Sequence, residues 1–480
     1  MADVEMTGTA EPAWELFNLK GNRPRRTVYA VLQHRHSLRR ITVCIQDQEV
    51  LESRIVNAFL GLDAMGKGGR SLIPPDDIKA MVETCVSDAI AVLGDREFKD
   101  EEILNISTKP DSPDLQSKEN FHSFYPFVRS LKTISELVGS KHLHLSGQPV
   151  PVTLTPLSEI RFLTAFSSYR GGAMKVLTKG APDTLMVYKG LSFADYLAFD
   201  PPTYRNHLAG IYRELEMLST VLSPHPNIMP PPLAFATFQQ DRYGEPLICG
   251  ALYPYYPKLS VAAAIGEAIE YEVQIPLHYK ARWCFQLASA LYHAHSVDGA
   301  WHQDLKTANT LLDNDANLIV IDWEQCGANS FTLAPEANGE FDLAVADMAA
   351  SEVIGDDAPV LYKRYTGPSR RNNWIGSPGW VVFAEWKKQC PKAVELAEVW
   401  SLGTVMWQLL EQVALDHLQE IVDVYGDGIK NGVVWTTMTE EMPESWREVV
   451  GACRRKEPNE RIRMKELVEF WRREAERLEG

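Results

Sequence analysis

The sequence predicts an α+β protein in which a strand-rich half is followed by a mainly helical half, preceded by a separate mixed or helical region at residues 1–150. Three observations carry this reading. From about residue 157, the short β-branched or aromatic runs "EIRFLTAFSS", "AMKVLTK" and "DTLMVYKGL" are separated by Gly, Pro and Asp, as short antiparallel strands bounded by turns require. Next, "YRNHLAGIYRELEMLSTVL" sets Leu208, Ile211, Leu215, Leu218 and Leu222 at helical spacing, giving one apolar stripe that needs a sheet to lie on. Beyond about residue 257 the chain is mainly helical and closes on "RMKELVEFWRREAERLEG", where Leu467, Phe470, Trp471 and Leu478 share a face.

Composition narrows the class. A chain of 480 residues with 45% apolar content can build two or three ordinary cores. Its 48 basic against 64 acidic side chains, a net charge of −16, repel nucleic acid and anionic lipid, so neither is an expected partner. No apolar run approaches the roughly 18 residues of a membrane span, and "MADVEMTGTAEPAWE" is acidic rather than a basic, apolar leader. The expectation is cytosol or nucleus, not secretion. The seven cysteines (Cys44, Cys85, Cys249, Cys284, Cys326, Cys390, Cys453) lie far apart without a CxxC pair. That spacing argues against a zinc site and a disulfide framework, and for reduced packing residues.

Taken in order, "RRTVYAVLQHRHSLRRITVCIQ" reads as strand and "SFYPFVRSLKTISELVGS" as helix, while "STKPDSPDLQSKEN" reads as an exposed loop. "GLDAMGKGG" (residues 61–69) has the spacing of a phosphate-binding loop, but Gly68 stands where the magnesium-binding hydroxyl is needed and "SRIVNAFL" before it is helical in period. A glycine-rich surface loop is the reading adopted. "HLSGQPVPVTLTP" marks a linker near 145–156. After the helix-breaking "DPPT" comes the amphipathic helix, then "RYGEPLICGALYPYY" with two further strand-like runs, then the helix "HYKARWCFQLASALYHAHS". No internal repeat is evident.

The chemistry concentrates in "WHQDLKTANTLLDNDANLIVIDWEQ", residues 301–325. Asp304, Lys306 and Asn309 share one tight loop, so a base, a positive charge and a hard oxygen ligand can converge. The following strand, turn and strand would return Asp322 beside Asn309. An oxygen-only pair suits Mg²⁺, which takes the rest of its shell from water and phosphates.

These residues resemble the eukaryotic protein kinase superfamily over about residues 157–475. The catalytic loop H-R-D-L-x-x-x-N is matched by His302, Asp304, Leu305 and Asn309, with Lys306 in the serine/threonine pattern, and the metal aspartate by Asp322. Lys189 in "MVYKG" matches the strand lysine, and Glu214 in "RELEMLSTVLSPHPNIM" its helix partner. "ELAEVWSLGTVMWQLLE" and "EPNERIRMKELVEFW" resemble two elements of the helical lobe, and "IDWEQ", "CPKAVELAEVWSLG" and "PNERI" together look like fungal protein-kinase-like proteins.

The resemblance implies a bilobal fold: a small antiparallel sheet with one helix at about 157–256 and a helical lobe at about 257–475. It implies ATP and Mg²⁺ as cofactors and a protein substrate, unnamed by the sequence. Lys189 would hold the α- and β-phosphates and pair with Glu214, Asp304 would orient the hydroxyl, Lys306 would neutralise the γ-phosphate, and Asn309 and Asp322 would bind metal. His302 and Glu398 would brace the loop. Arg461 would pair with a buried glutamate ending the activation segment. For that glutamate "GSPGWVVFAEW" points to Glu385, because "APE" at Ala334–Glu336 comes only about 14 residues after Asp322. The intervening stretch, about 327–375, would then be an insertion at the substrate-facing mouth.

Four departures stand out. The glycine-rich loop "SSYRGGAMKV" keeps only Gly171, with Tyr169 and Met174 at the other two glycine positions. Gln303 replaces the arginine that reads an activation-loop phosphate, so activity is expected not to depend on phosphorylating that loop. Glu324 in "DWE" forfeits the glycine dihedrals that let the aspartate swing. Glu398 stands for an aspartate, one methylene longer. Two alternatives stay open: a pseudokinase that binds or scaffolds, and a small-molecule kinase similar to choline kinases and aminoglycoside phosphotransferases, a likeness seen in "IDWE" and in Asp342–Ala344.

Overall fold

The computed structural model describes residues 14–22, 27–46, 75–93, 102–106, 114–120, 123–139, 142–145, 148–166, 172–240, 244–325, 332–344, 358–367, 378–413, 433, 435 and 442–479. They form a mixed α+β structure with two compact units. The first comprises Met1–His142, Pro151–Ile211 and Pro232–Tyr255, and the second Leu143–Val150, Tyr212–Pro231 and Tyr256–Gly480. The expected boundary near residue 150 is therefore not where the contacts divide the chain, since the region before it joins the strand-rich segment in one unit.

In the first unit, β1 (Trp14–Asn22), β2 (Thr27–His34) and β3 (Arg40–Gln46) form an antiparallel meander, so the strand-like reading of this stretch becomes two strands. After α1 (Pro75–Leu93), β4 (Glu102–Ile106) pairs parallel to β3 and β5 (Asp114–Gln116) antiparallel to β4. Alternate residues Val28, Ala30 and Leu32 on β2 and Ile41, Val43 and Ile45 on β3 pack with Val82, Val86 and Ala89 of α1. Period two on the strands meets helical spacing on α1, and burial of these side chains holds the layer together.

The run expected as one helix breaks into α2 (Phe124–Ser130) and α3 (Ile134–Val138), with the two-residue β6 (Lys132–Thr133) between them. Thr133 restarts the helix by a capping box: its hydroxyl accepts from the Glu136 amide while Glu136 accepts from the Thr133 amide at 2.8 Å. The expected linker is strand as well. β7 (His142–Leu145) and β8 (Gln148–Pro151) pair with each other, and β9 (Leu154–Pro156) enters a second sheet.

That sheet continues with β10 (Ile160–Ala165), β11 (Ala173–Thr178) and β12 (Ala181–Gly190), antiparallel as expected. Next come α4 (Phe193–Ala198) and α5 (Pro201–Glu216). "DPPT" starts α5 rather than breaking it: the Thr203 amide donates to Asp200 at 3.0 Å, and prolines fit a first turn whose N–H groups have no helical partner. A π turn at Met217–Val221 ends the helix. "RYGEPLICGALYPYY" supplies one strand, not two: β14 (Pro246–Pro254), paired with the preceding β13 (Ala234–Gln240). The order is β10-β11-β12-β14-β13-β9, with β6 on β14.

Side chains tie the two sheets of this unit together. β10 is an edge strand, and the buried amide of Gln33 reads it as a neighbouring strand would, donating to the Ile160 carbonyl at 3.0 Å and accepting from the Phe162 amide at 2.9 Å. Lys20 pairs with Asp195, whose carboxylate also caps α4 through the Ser192 amide. Phe124 and Phe127 pack their rings against Phe193 and Phe238, and Phe127 also against Tyr196 and Tyr204.

In the second unit, α6 (Val261–Glu270) and α7 (Leu277–Ser296) precede the hairpin β15 (Thr310–Leu312) and β16 (Leu318–Val320). β17 (Phe341–Leu343) pairs with β18 (Tyr362–Arg364), followed by α8 (Pro378–Gln389), α9 (Pro391–Glu411), α10 (Glu444–Cys453) and α11 (Met464–Glu479). α9 is buried on every side from Leu396 to Glu411, as befits a core helix. α7 packs against α11, α9 and β16. Among the described residues no helix is long and apolar enough to cross a membrane, and Cys44, Cys85, Cys249, Cys284, Cys390 and Cys453 are free thiols. "GLDAMGKGG", "SRIVNAFL", Tyr169, Gly171, Cys326 and much of the stretch at 327–375 lie outside the described residues.

Candidate functional site

The site is built on the loop between α7 and β15. Its back is fixed by Glu398 of α9, fully buried, which accepts from the backbone amides of His302 at 2.9 Å and Gln303 at 2.5 Å and meets His295 Nε2 at 2.6 Å. The extra methylene noted in the sequence still reaches the loop. Gln303 sits at φ 76, a left-handed conformation that Glu398's two-amide grip holds in place. Burial by itself raises the Glu398 carboxyl, but the hydrogen bond and charge of His295, the Gln303 amide and the His302 charge outweigh it and hold the group below the usual carboxylate range.

The front of the loop carries Asp304, Lys306 and Asn309. Asp304 is 7% exposed, and Lys306 Nζ donates to its Oδ2 at 2.6 Å. Asn309 Nδ2 donates to the Asp304 carbonyl at 2.9 Å and to Oδ2 at 3.3 Å. Burial pushes the Asp304 carboxyl up against the downward pull of the Lys306 charge and hydrogen bond, and the Asp322 charge adds to the rise. Asp304, Lys306 and Asn309 thus meet as expected.

The hairpin also closes as expected. β15 and β16 pair antiparallel, and the Ile321 amide donates to the Asn309 carbonyl at 3.0 Å, setting Asp322 next to Asn309. His302 Nε2 lies 2.8 Å from the Ile321 carbonyl, and its ring meets that of the fully buried Trp323 at 4.8 Å. The Trp323 Nε1 donates to the Val320 carbonyl at 3.1 Å, which pairs the polar atom of this core side chain. Asp322 itself is left-handed at φ 68.

Glu214, buried on α5, places a carboxylate oxygen within 4.8 Å of oxygens of Asp322 and Glu324. With the Asn309 amide nitrogen committed to Asp304, its amide oxygen is the atom left to ligate. The carboxylates of Glu214, Asp322 and Glu324 and the amide of Asn309 all offer oxygen donors, the type a hard cation such as Mg²⁺ takes. Lys189 is on β12 in the first unit, opposite Ala173 on β11 and Ala251 on β14. The strands are close there, since a Cβ on Gly250 would come within 2.6 Å of the Lys189 carbonyl.

One assignment is corrected. Arg461 is buried and grips Glu336, not Glu385, with Nη1 and Nη2 donating to its two carboxylate oxygens at 2.5 and 2.9 Å. Glu385 sits half-exposed on α8, 3.7 Å from Lys388. A buried guanidinium needs a buried carboxylate, and Glu336 is 7% exposed. The span from Asp322 to this clasp is therefore short, and the extra chain follows Glu336 instead of preceding the clasp. Part of it docks on the "PNER" element: the Val360 amide donates to Asn459 Oδ1 at 2.7 Å and its carbonyl accepts from Asn459 Nδ2 at 2.9 Å.

Sequence reasoning also missed the contributions of Arg213, Glu324 and Gln325. Glu324 was legible as a carboxylate beside Asp322. Nothing in the spacing marked Gln325, which is 2% exposed and joins Arg213 to the Trp301 carbonyl. No protein-family model matches the chain, and no curated protein matches it.

Proposed function

We propose that this chain is an ATP- and Mg²⁺-dependent phosphotransferase of protein-kinase-like fold, acting on serine or threonine hydroxyls of a protein. The observation that carries the reading is the pairing of the buried Asp304 carboxylate with Lys306 Nζ at 2.6 Å, on a loop that sets Asn309 beside Asp322. Phosphoryl transfer demands positioning and charge neutralisation more than covalent chemistry. Asp304 orients the incoming hydroxyl and takes its proton, and the upward pull of burial on its carboxyl makes it a better base. Lys306 balances charge on the transferred group, and Lys189 holds the remaining phosphates. Mg²⁺ held by Asn309 and Asp322 would neutralise phosphate oxygens. The Glu336–Arg461 clasp supports the protein-kinase-like reading over a small-molecule kinase, because the "PNERI" element that supplies Arg461 is foreign to the latter families.

The test is radiolabel transfer from ATP·Mg²⁺ to a generic protein and to a small-molecule panel, alongside a thermal shift with ATP·Mg²⁺ for the wild type and Lys189→Met. Transfer to protein is expected, with Asp304→Ala slower by about 10²–10⁴. A thermal shift without transfer indicates a pseudokinase. Neither shift nor transfer overturns the reading.

A further inference from the structure

Gln325 is the first residue after "DWE", and its amide is used on both sides. Its oxygen accepts from Arg213 Nε at 3.1 Å and Nη2 at 2.6 Å, while its nitrogen donates to the Trp301 carbonyl at 2.7 Å. Arg213 directly precedes Glu214 on α5 and is itself steadied by Glu216 at 2.9 Å. Trp301 directly precedes His302 and Gln303, whose amides Glu398 grips. One neutral side chain thus joins the Glu214-bearing helix turn to the start of the Asp304 loop, in a chain where Gln303 occupies the place of a phosphate-reading arginine.

We infer that Gln325 is a positioning residue that holds the Glu214 turn and the Asp304 loop in register, so that the site is assembled in the unmodified chain. This rests on the phosphotransferase reading. The chemistry requires an amide: Arg213 needs an acceptor and the Trp301 carbonyl a donor, which no single carboxylate at neutral pH supplies. Gln325 stands at φ 52, a left-handed conformation, and is 2% exposed, as expected of a residue kept in place by its side-chain bonds.

The experiment compares full-length wild type, Gln325→Leu, Gln325→Glu and Arg213→Met, each before and after phosphatase treatment. Three readouts are taken: kcat and KM for ATP, melting temperature, and backbone hydrogen exchange over residues 301–306. Misalignment of a catalytic group by about an ångström can slow turnover by roughly 10²-fold. Gln325→Leu is accordingly expected to lose about tenfold or more in kcat with KM for ATP within about twofold. Gln325→Glu keeps the Arg213 side only and is not expected to restore kcat. Phosphatase should change none of the four.

Hydrogen exchange reads the tie without activity, so a wild type that transfers no phosphate sinks the enzyme reading while the positioning claim is still decided. Exchange at 301–306 faster by about tenfold in Gln325→Leu, with the melting temperature retained, supports the tie. Wild-type exchange and wild-type kcat in Gln325→Leu overturn it, as does full restoration by Gln325→Glu. A fall in melting temperature with no separate loss in kcat reduces Gln325 to a stability residue and overturns it too.

Discussion

The loop that carries Asp304 has a buried carboxylate on each side, and the two are treated differently. Behind it, Glu398 is saturated by two backbone amides and His295, and ends below the usual carboxylate range although burial raises it. In front, Asp304 has Lys306 and Asn309 as partners, and burial prevails. Burial therefore leaves one carboxylate held in its charged form as part of the frame and raises the other. The difference lies in the partners: His295 adds a hydrogen bond and charge to the two backbone amides on Glu398, whereas the Lys306 charge and hydrogen bond do not offset the burial of Asp304.

Removing each carboxylate should accordingly have opposite effects on stability. Glu398→Ala leaves two buried amides without an acceptor and is expected to destabilise the fold by about 3–5 kcal/mol, read from the denaturation midpoint. A loss below about 1 kcal/mol would erase the distinction. Glu336→Gln, which leaves Arg461 facing a neutral amide, comes next at about 2–3 kcal/mol, measured in the same way. The neutral Asp304→Asn should instead gain slightly, less than about 1 kcal/mol, and under the proposed function it also loses phosphoryl transfer.

The pH dependence sharpens the same point. Glu398 is depressed in the folded state, so its stabilisation is present above the unfolded glutamate value of about 4.3 and is lost as pH falls through the folded value. Asp304 is raised, so its ionisation opposes folding as pH climbs above the unfolded aspartate value of about 3.9, and that penalty vanishes in acid. The stability gap between Asp304→Asn and wild type should accordingly open in favour of the variant as pH rises from about 3 to 7. A gap independent of pH would assign the effect to packing.

The parts of this site that were legible are those written in short spacings. Asp304, Lys306 and Asn309 fit one loop, and a strand, turn and strand could only return Asp322 to Asn309, as the Ile321–Asn309 bond does. The α5 stripe and the three strands β10 to β12 follow from period alone. Long-range partners were harder. Glu336 sits in a visible "APE", but its closeness to Asp322 points away from it, and burial and the Arg461 bonds, which no spacing records, separate it from the half-exposed Glu385. Gln325 and Gln33 had no signal, because an amide that bonds backbone atoms 24 or 127 residues away leaves no periodic trace. The amino-terminal run broke into α2 and α3 because Thr133 and Glu136 could close a capping box, a local cue overridden by the helical pattern around it.

The Gln33 amide has a consequence beyond this unit's stability. By occupying the Ile160 carbonyl and the Phe162 amide, it blunts the outer margin of the second sheet. A chain deprived of its first meander would present that margin bare, a ready template for intermolecular strand addition. Truncation at the apparent sequence boundary should therefore yield self-associating material, whereas a cut that spares Gln33 should not.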